Sequence, residues 1–269
     1  MGILKVKQQL LFVLVIITLL AATAGCSPAI RGDRDTLYQV STISALMQGV
    51  FNGEITAGQL RHYGDVGTGV FHDLNGEMIM LGGKCYRAQL DGTIEPVSDD
   101  AKISFGGVTF LDHDIVLNID KELDLNGLQS YIDSHLPSKN LFYAISVEGK
   151  FSHVKTRSVP LQQKPYKTLP EVIKEGQQVV EIKDVEGTLV GIKCPPYTEG
   201  VFITGYHLHF ITKDRTRGGH VMEIKTDSAK VIIDSTDNFI VQLPDNSEFI
   251  KARLGGGEPE GLKQVEQGK

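Results

Sequence analysis

Apolar positions along the chain recur mostly in short alternating segments broken by glycine-containing turns, a pattern that predicts many strands and few helices. Ser41 and Thr42 precede Ile43, Leu46, Met47 and Val50, which share one helical face, and Gly49 and Gly53 stop that helix early. Asn75-Gly76, Gly82-Gly83 and Asp91-Gly92 then separate short apolar runs, as in an antiparallel meander. Residues 124–136 predict a longer helix with Leu128, Ile132 and Leu136 on one face, stopped by Pro137. Segments 141–147 and 151–158 flank Glu148-Gly149-Lys150 as an expected hairpin. Thr168, Leu169 and Pro170 open a second short helix, with proline in its first turn. Segments 179–184 and 188–193 around Glu186-Gly187 predict another hairpin, followed by strands at 201–212, 220–225, 230–234 and 239–243. Two β-rich lobes would meet between Pro160 and Glu175.

The first stretch is different. Lys5 and Lys7 precede an unbroken apolar run at 10–22 and the small residues Thr23, Ala24 and Gly25. About 13 apolar residues suit the core of an export signal better than a membrane span. Ala22-Thr23-Ala24 offers one cleavage site. Ala24-Gly25-Cys26 resembles a bacterial lipobox, with Thr23 where leucine is usual, and would leave a lipid on Cys26. A buried N-terminal helix is the remaining alternative. Export would place a bacterial protein outside the cytoplasm, secreted or lipid-anchored at the outer face of its membrane, with residues 1–25 removed.

Composition narrows the class further. The chain has 269 residues and is 41% hydrophobic and 22% charged, which excludes disorder. The net charge of −6 argues against a nucleic-acid partner. Three cysteines exclude a disulfide-stapled framework. Cys85 and Cys194 could pair in an oxidising compartment, but buried free thiols are the expectation.

One constellation carries chemistry. In Gly205-Tyr206-His207-Leu208-His209-Phe210 two histidines stand at i and i+2. On a strand their side chains leave the same face, with Cα atoms about 6.5–7 Å apart, so both imidazoles can reach one ion. Phe202, Tyr206, Leu208 and Phe210 would form the apolar opposite face. Residues 213–219 make a polar turn, and pairing across it sets His220 opposite His209. Three histidines leave a fourth ligand position open, as in catalytic zinc sites. Imidazole alone does not choose among zinc, copper, iron and nickel, and H-x-H on a strand also occurs in iron and manganese sites. Gly64-Asp65-Val66-Gly67-Thr68-Gly69 lacks the lysine and helix of a phosphate loop, so a tight turn or a pocket wall is expected there. His62, His72, His113, His135 and His153 are scattered and read as ordinary polar residues.

These residues resemble the bacterial α-acetolactate decarboxylase family. The likeness rests on the segment from Gly205 to Phe210 with Gly219-His220, on Asn75-Gly76-Glu77-Met78 through Tyr86, and on Thr156-Arg157-Ser158-Val159-Pro160 with Gln162, Pro165 and Tyr166. It covers the chain from about Tyr38 onward. The resemblance implies a predominantly β, α+β fold of two β-rich domains, a mixed sheet and a partly closed barrel, commonly paired as a homodimer. It would divide the chain into an N-terminal domain at 36–165, a C-terminal domain at 166–254 carrying the metal site, and a tail at 255–269. It implies zinc-dependent conversion of 2-acetolactate to acetoin and carbon dioxide, a carboxy-lyase step of acetoin biosynthesis. His207, His209 and His220 match the family's metal ligands, and Glu77, Arg157 and Glu266 its other polar site groups.

The implied chemistry uses each residue type. Loss of carbon dioxide from a 2-hydroxy-3-keto acid leaves an enediolate, which a cation at the ketone and hydroxyl oxygens stabilises. An arginine offers a planar fork to the substrate carboxylate or a developing oxyanion. A glutamic acid of raised pKa then protonates one face. Locally, the same residues look ordinary. Glu77 follows an Asn-Gly turn, Arg157 sits two residues after Lys155, and Glu266 lies in a terminus where disorder is usual. Gly255-Gly256-Gly257 would act as the tether that brings Glu266 back. The resemblance leaves open which glutamate donates the proton and whether either touches the zinc. A non-catalytic extracytoplasmic metal- or solute-binding lipoprotein could use the same histidines. A cupin-type iron oxygenase fits less well, because its motif continues to a glutamate shortly after the second histidine, where this chain has Lys213 and Asp214.

Overall fold

A computed structural model describes residues 33–255 and 261–267. The export segment, Cys26 and the glycines Gly256 and Gly257 lie outside the described residues. The chain starts with β1 (Thr36–Val40), α1 (Ile43–Met47), β2 (Ile55–Thr56) and α2 (Ala57–Leu60). The meander is β3 (Val66–Phe71), β4 (Glu77–Leu81), β5 (Lys84–Ala88) and β6 (Ile94–Pro96), followed by β7 (Lys102–Thr109). Next come β8 (Ile115–Ile119), β9 (Leu123–Asp124), α3 (Leu125–Asp133), β10 (Phe142–Ser158) and α4 (Leu169–Gly176). The remainder is β11 (Gln178–Cys194), β12 (Gly205–Thr212), β13 (Gly218–Thr236), β14 (Asn238–Gln242), α5 (Ser247–Lys251) and α6 (Leu262–Gln267).

Two sheets result. The first runs β14-β1-β7-β3-β4-β5-β6, with β2 on β7, and is mixed because β1 and β14 are parallel. In the second, β10-β11-β12-β13 closes on itself through β10–β13 pairing, with β8 and β9 added along β13. This is the predominantly β architecture of a mixed sheet and a partly closed barrel. Strand membership does not follow the expected division at residue 165. β8, β9 and β10 belong to the ring, and β14 returns to the first sheet. The reason is a shared core. Leu37, Phe51, Phe105 and Phe202 pack with Ala144, Val190, Ile192 and Ile211 between the two sheets. The opposite faces of the same ring strands send Tyr143, Ile145, Leu189, Leu208 and Phe210 into a second core, with Leu128 and Ile132 of α3.

The helices form where capping predicts. Thr42 accepts the Ala45 N–H at 3.2 Å to start α1, and Asp124 accepts the Gly127 N–H at 2.7 Å to start α3. Glu171 accepts the Thr168 N–H at 2.8 Å at the head of α4. Helix α3 stops at Asp133, three residues before the expected end.

The two predicted hairpins at Gly149 and Gly187 are not hairpins. Each glycine lies within one continuous 17-residue strand. Likewise, 220–225 and 230–234 fuse into the 19-residue β13, while residues 201–204 fall outside β12, so Phe202 packs on Phe105 rather than on the strand's apolar face. Gly149 pairs with Gly187 on one side and Ala229 on the other. A Cβ there would stand 2.6 Å from the Ala229 Cβ and collide with the Ser228 carbonyl, and a Cβ on Gly187 would collide with the Phe210 ring. These glycines serve close approach across strands, not reversal. Cys85 and Cys194 are buried free thiols, as expected.

Gly149→Ala should therefore lower stability by about 1–3 kcal/mol through overpacking, read as an earlier urea midpoint. An unchanged midpoint would show that β10 and β13 have room to spare.

Candidate metal centre and active site

The site lies where the ring meets the first sheet. Alternation along β12 sends Tyr206, Leu208 and Phe210 into the ring's own core, leaving His207 and His209 on the face toward β3 and β4. The tight turn after Thr212 then sets His220 directly opposite His209. All three imidazoles are buried, and one nitrogen from each lies within 4.8 Å of the others. One ion with tetrahedral bonds of about 2.0–2.1 Å would hold such nitrogens about 3.3 Å apart, so binding would draw the three rings slightly inward.

The outer nitrogens of His207 and His209 are already engaged, whereas His220 meets the Glu266 carbonyl through Nε2 at 3.3 Å. His209 Nδ1 donates to the Met78 carbonyl on β4 at 2.8 Å, which leaves its Nε2 with an unshared lone pair. That Nε2 is buried and has no hydrogen-bond partner among the described residues. His207 Nδ1 shares a 3.0 Å hydrogen bond with the Thr68 hydroxyl on β3. A ring nitrogen tied to a carbonyl or hydroxyl while the other faces a pocket is the usual second tier of a metal site. Burial holds His209 down at about 3 and holds His207 and His220 well below the ordinary imidazole value, so all three are neutral near pH 7. Neutral imidazole is the form that binds a metal. The donor set therefore fits a transition-metal ion.

Two carboxyls face the same nitrogens. Glu77, the first residue of β4, places Oε2 3.8 Å from His209 Nε2. Glu266 on α6 places Oε2 3.7 Å from His220 Nε2 and 4.0 Å from His207 Nε2. Burial pushes both up to about 7, while Arg157 pulls both back and Glu266 adds repulsion at Glu77. Arg157 sits on β10 opposite His220, 5% exposed, with no hydrogen-bond partner for Nε. Leu262 and Val265 bury into the shared core and hold α6 against the site.

Glu77, Arg157, His207, His220 and Glu266 thus line one pocket, and His209 stands beside them, facing Glu77. Its apolar wall includes Leu46, Val70, Phe105 and Ile203. The solvated surroundings that local sequence favours for Glu77 and Arg157 do not occur. The strap of residues 64–69 is not a turn alone, since β3 starts at Val66 and Gly69 lines the pocket. Thr68 and the Met78 carbonyl escape the sequence reading. A signal for Thr68 existed in a lone hydroxyl between two glycines on an otherwise apolar strand. Nothing in the sequence marks a main-chain oxygen.

A family model described as alpha-acetolactate decarboxylase matches residues 37–256. A relative of that name in Methanosarcina mazei is 43% identical over 233 residues, covering 87% of this chain and 81% of the relative. Another, in Bacillus subtilis, is 38% identical over 240 residues, covering 88% and 93%. A crystal structure of alpha-acetolactate decarboxylase from Bacillus subtilis strain 168 superposes with a TM-score of 0.82 at 37% identity, covering 86% of this chain and 99% of that one. This chain is accordingly an enzyme, a carboxy-lyase. It belongs to the alpha-acetolactate decarboxylase family.

Thr68→Val keeps the volume of the side chain and removes the partner of His207 Nδ1. Metal affinity should fall about 10–100-fold, measured by competition with a chromophoric chelator, with the far-ultraviolet circular dichroism unchanged. Unaltered affinity would show that the Thr68 hydroxyl does not orient His207.

Proposed function

We propose that the protein decarboxylates 2-acetolactate to acetoin and carbon dioxide with a zinc ion held by His207, His209 and His220. The observation that carries this reading is the convergence of three neutral buried imidazoles, two carboxyls and one guanidinium around a single pocket. Zinc bound there would supply a Lewis acid for the substrate's ketone and hydroxyl oxygens.

The chain's own groups do the rest. Arg157 offers a planar cationic fork, in a buried place, to the substrate carboxylate or to the oxygen that gains charge as the C–C bond breaks. The bond's electron pair stays on the carbon that loses carbon dioxide, and a proton must reach that carbon. Glu77, beside His209, and Glu266, beside His207 and His220, are the carboxyls at the pocket, and one of them delivers that proton. Leu46, Val70, Phe105 and Ile203 shield the reacting centre from water and receive the substrate's methyl groups.

Export completes the proposal. Lys5, Lys7 and the apolar run at 10–22 support an enzyme working outside the cytoplasm, secreted or anchored through a lipid on Cys26. Pairing as a homodimer is proposed on the family resemblance.

His207→Ala and His209→Ala should each abolish both bound zinc and acetoin production, followed by elemental analysis and a colour assay on acetolactate. Retained turnover in a metal-free His207→Ala protein would sink the mechanism. Arg157→Ala should keep zinc but slow turnover about 100-fold or more; unchanged kinetics would remove Arg157 from the reaction. Of Glu77→Gln and Glu266→Gln, the one that blocks product formation while zinc stays bound identifies the proton donor. Full activity in both would overturn the carboxyl role.

A further inference from the structure

A second cluster of ionisable groups lies outside the catalytic pocket. Asp35 immediately precedes β1, Asp112 lies in the link between β7 and β8, and Asp234 sits near the end of β13. One oxygen from each lies within 4.8 Å of the others. Asp35 is exposed and Asp112 half-buried, but Asp234 is 1% exposed. Neither Asp234 carboxylate oxygen has a hydrogen bond of good geometry among the described residues, and the Asp112 main chain offsets the cost of burial only slightly. A buried carboxylate without a partner is costly, and nearby carboxylates raise that cost.

The charge count points to the missing partner. Three carboxylates face one cation, Arg34, whose Nε donates to Asp112 Oδ2 at 3.0 Å and whose terminal nitrogen meets Asp112 Oδ1. That leaves an excess of negative charge, which in the metal-free protein burial and the neighbouring carboxylates relieve only by pushing Asp234 up to about 7. Asp114 cannot relieve the excess, because it is a further carboxylate, accepting the Ser235 N–H at 3.0 Å and its hydroxyl at 2.6 Å. A carboxylate held by arginine keeps lone pairs for a second partner. An all-oxygen set selects a hard divalent cation. Partial exposure on the Asp35 side leaves room for waters, and an irregular shell completed by water suits calcium better than the strict octahedron of magnesium.

We propose that Asp35, Asp112 and Asp234 form a calcium-binding site that ties the first sheet to the ring. Its ligands come from the entry to β1, the link between β7 and β8, and β13. The Asn238 N–H already bonds to the Asp35 carbonyl at 3.0 Å beside them. An ion there would clamp the β1–β14 edge against β13, and its role would be stability rather than catalysis.

The test uses the full zinc-loaded protein, equilibrated in calcium-free buffer and titrated with calcium chloride by calorimetry and thermal denaturation. One calcium per chain should bind with Kd of about 10⁻⁴–10⁻³ M, raising Tm by several degrees at about 10 mM. Asp234→Asn removes the buried charge, so it should melt higher than the parent without calcium and lose the calcium response. Asp35→Asn, at an exposed position, should fold normally and weaken binding at least tenfold. Should Asp234→Asn not fold, Asp35→Asn decides alone. No heat and no Tm shift in the parent protein, or an undiminished response in Asp35→Asn, would overturn the site. Acetoin formation is not the readout, so the outcome is independent of the catalytic proposal.

Discussion

The hydrogen bond from His209 Nδ1 to the Met78 carbonyl joins the two halves of the molecule at its chemical centre. It links β12 of the ring to β4 of the first sheet across 131 positions of sequence. A bond of this kind contributes only about 0.5–1.5 kcal/mol net, yet several features depend on it. It sets the tautomer of His209, and so aims the Nε2 lone pair into the pocket. It also brings β4 close enough for Glu77, one residue before Met78, to face that same nitrogen at 3.8 Å. Breaking it would leave a buried donor unsatisfied, at a cost of about 1–3 kcal/mol.

Around that contact the fold is arranged so that the ring strands have no solvent face for much of their length. In the segments 142–147 of β10 and 188–194 of β11, even-numbered positions such as Ala144, Val190 and Ile192 pack toward the first sheet. Odd-numbered ones, such as Ile145, Val147 and Leu189, fill the ring. This two-sided burial explains how a polar cluster can persist inside. The histidines, the two glutamates and Arg157 interrupt an otherwise apolar boundary between two cores, and Thr68 and the Met78 carbonyl offset part of the cost at His207 and His209. Such a group is a local violation of hydrophobic consistency, as expected where a protein gives up stability for chemistry. The unpartnered His209 Nε2 and Arg157 Nε are its residue.

Legibility from the residues differed sharply between turns and strands. Asn75-Gly76 and Gly82-Gly83 mark true reversals, with Gly76, Gly82 and Gly83 all at positive φ. Gly149 and Gly187 carry the same local signature of a glycine beside charged residues, but their backbones are extended and their neighbours are other strands. A glycine needed for backbone reversal and a glycine needed for close approach look alike in one dimension. The distinction lies in strands remote in sequence, so local pattern could not draw it. For the same reason β10, β11 and β13 each read locally as two short strands.

By itself the sequence determined what short-range geometry controls. The i, i+2 spacing sends His207 and His209 to one face, and a single tight turn sets His220 opposite His209, because strand periodicity and hairpin register are local properties. The family resemblance named Glu77, Arg157 and Glu266, but nothing local distinguished them from solvated charges. Tertiary structure alone decided that Glu77 is buried by the ring, that Glu266 arrives on a helix anchored by Leu262 and Val265, and that Thr68 and Met78 hold the imidazoles. These contacts join elements scores of residues apart. They exist because the two sheets share one core, which no window of sequence contains.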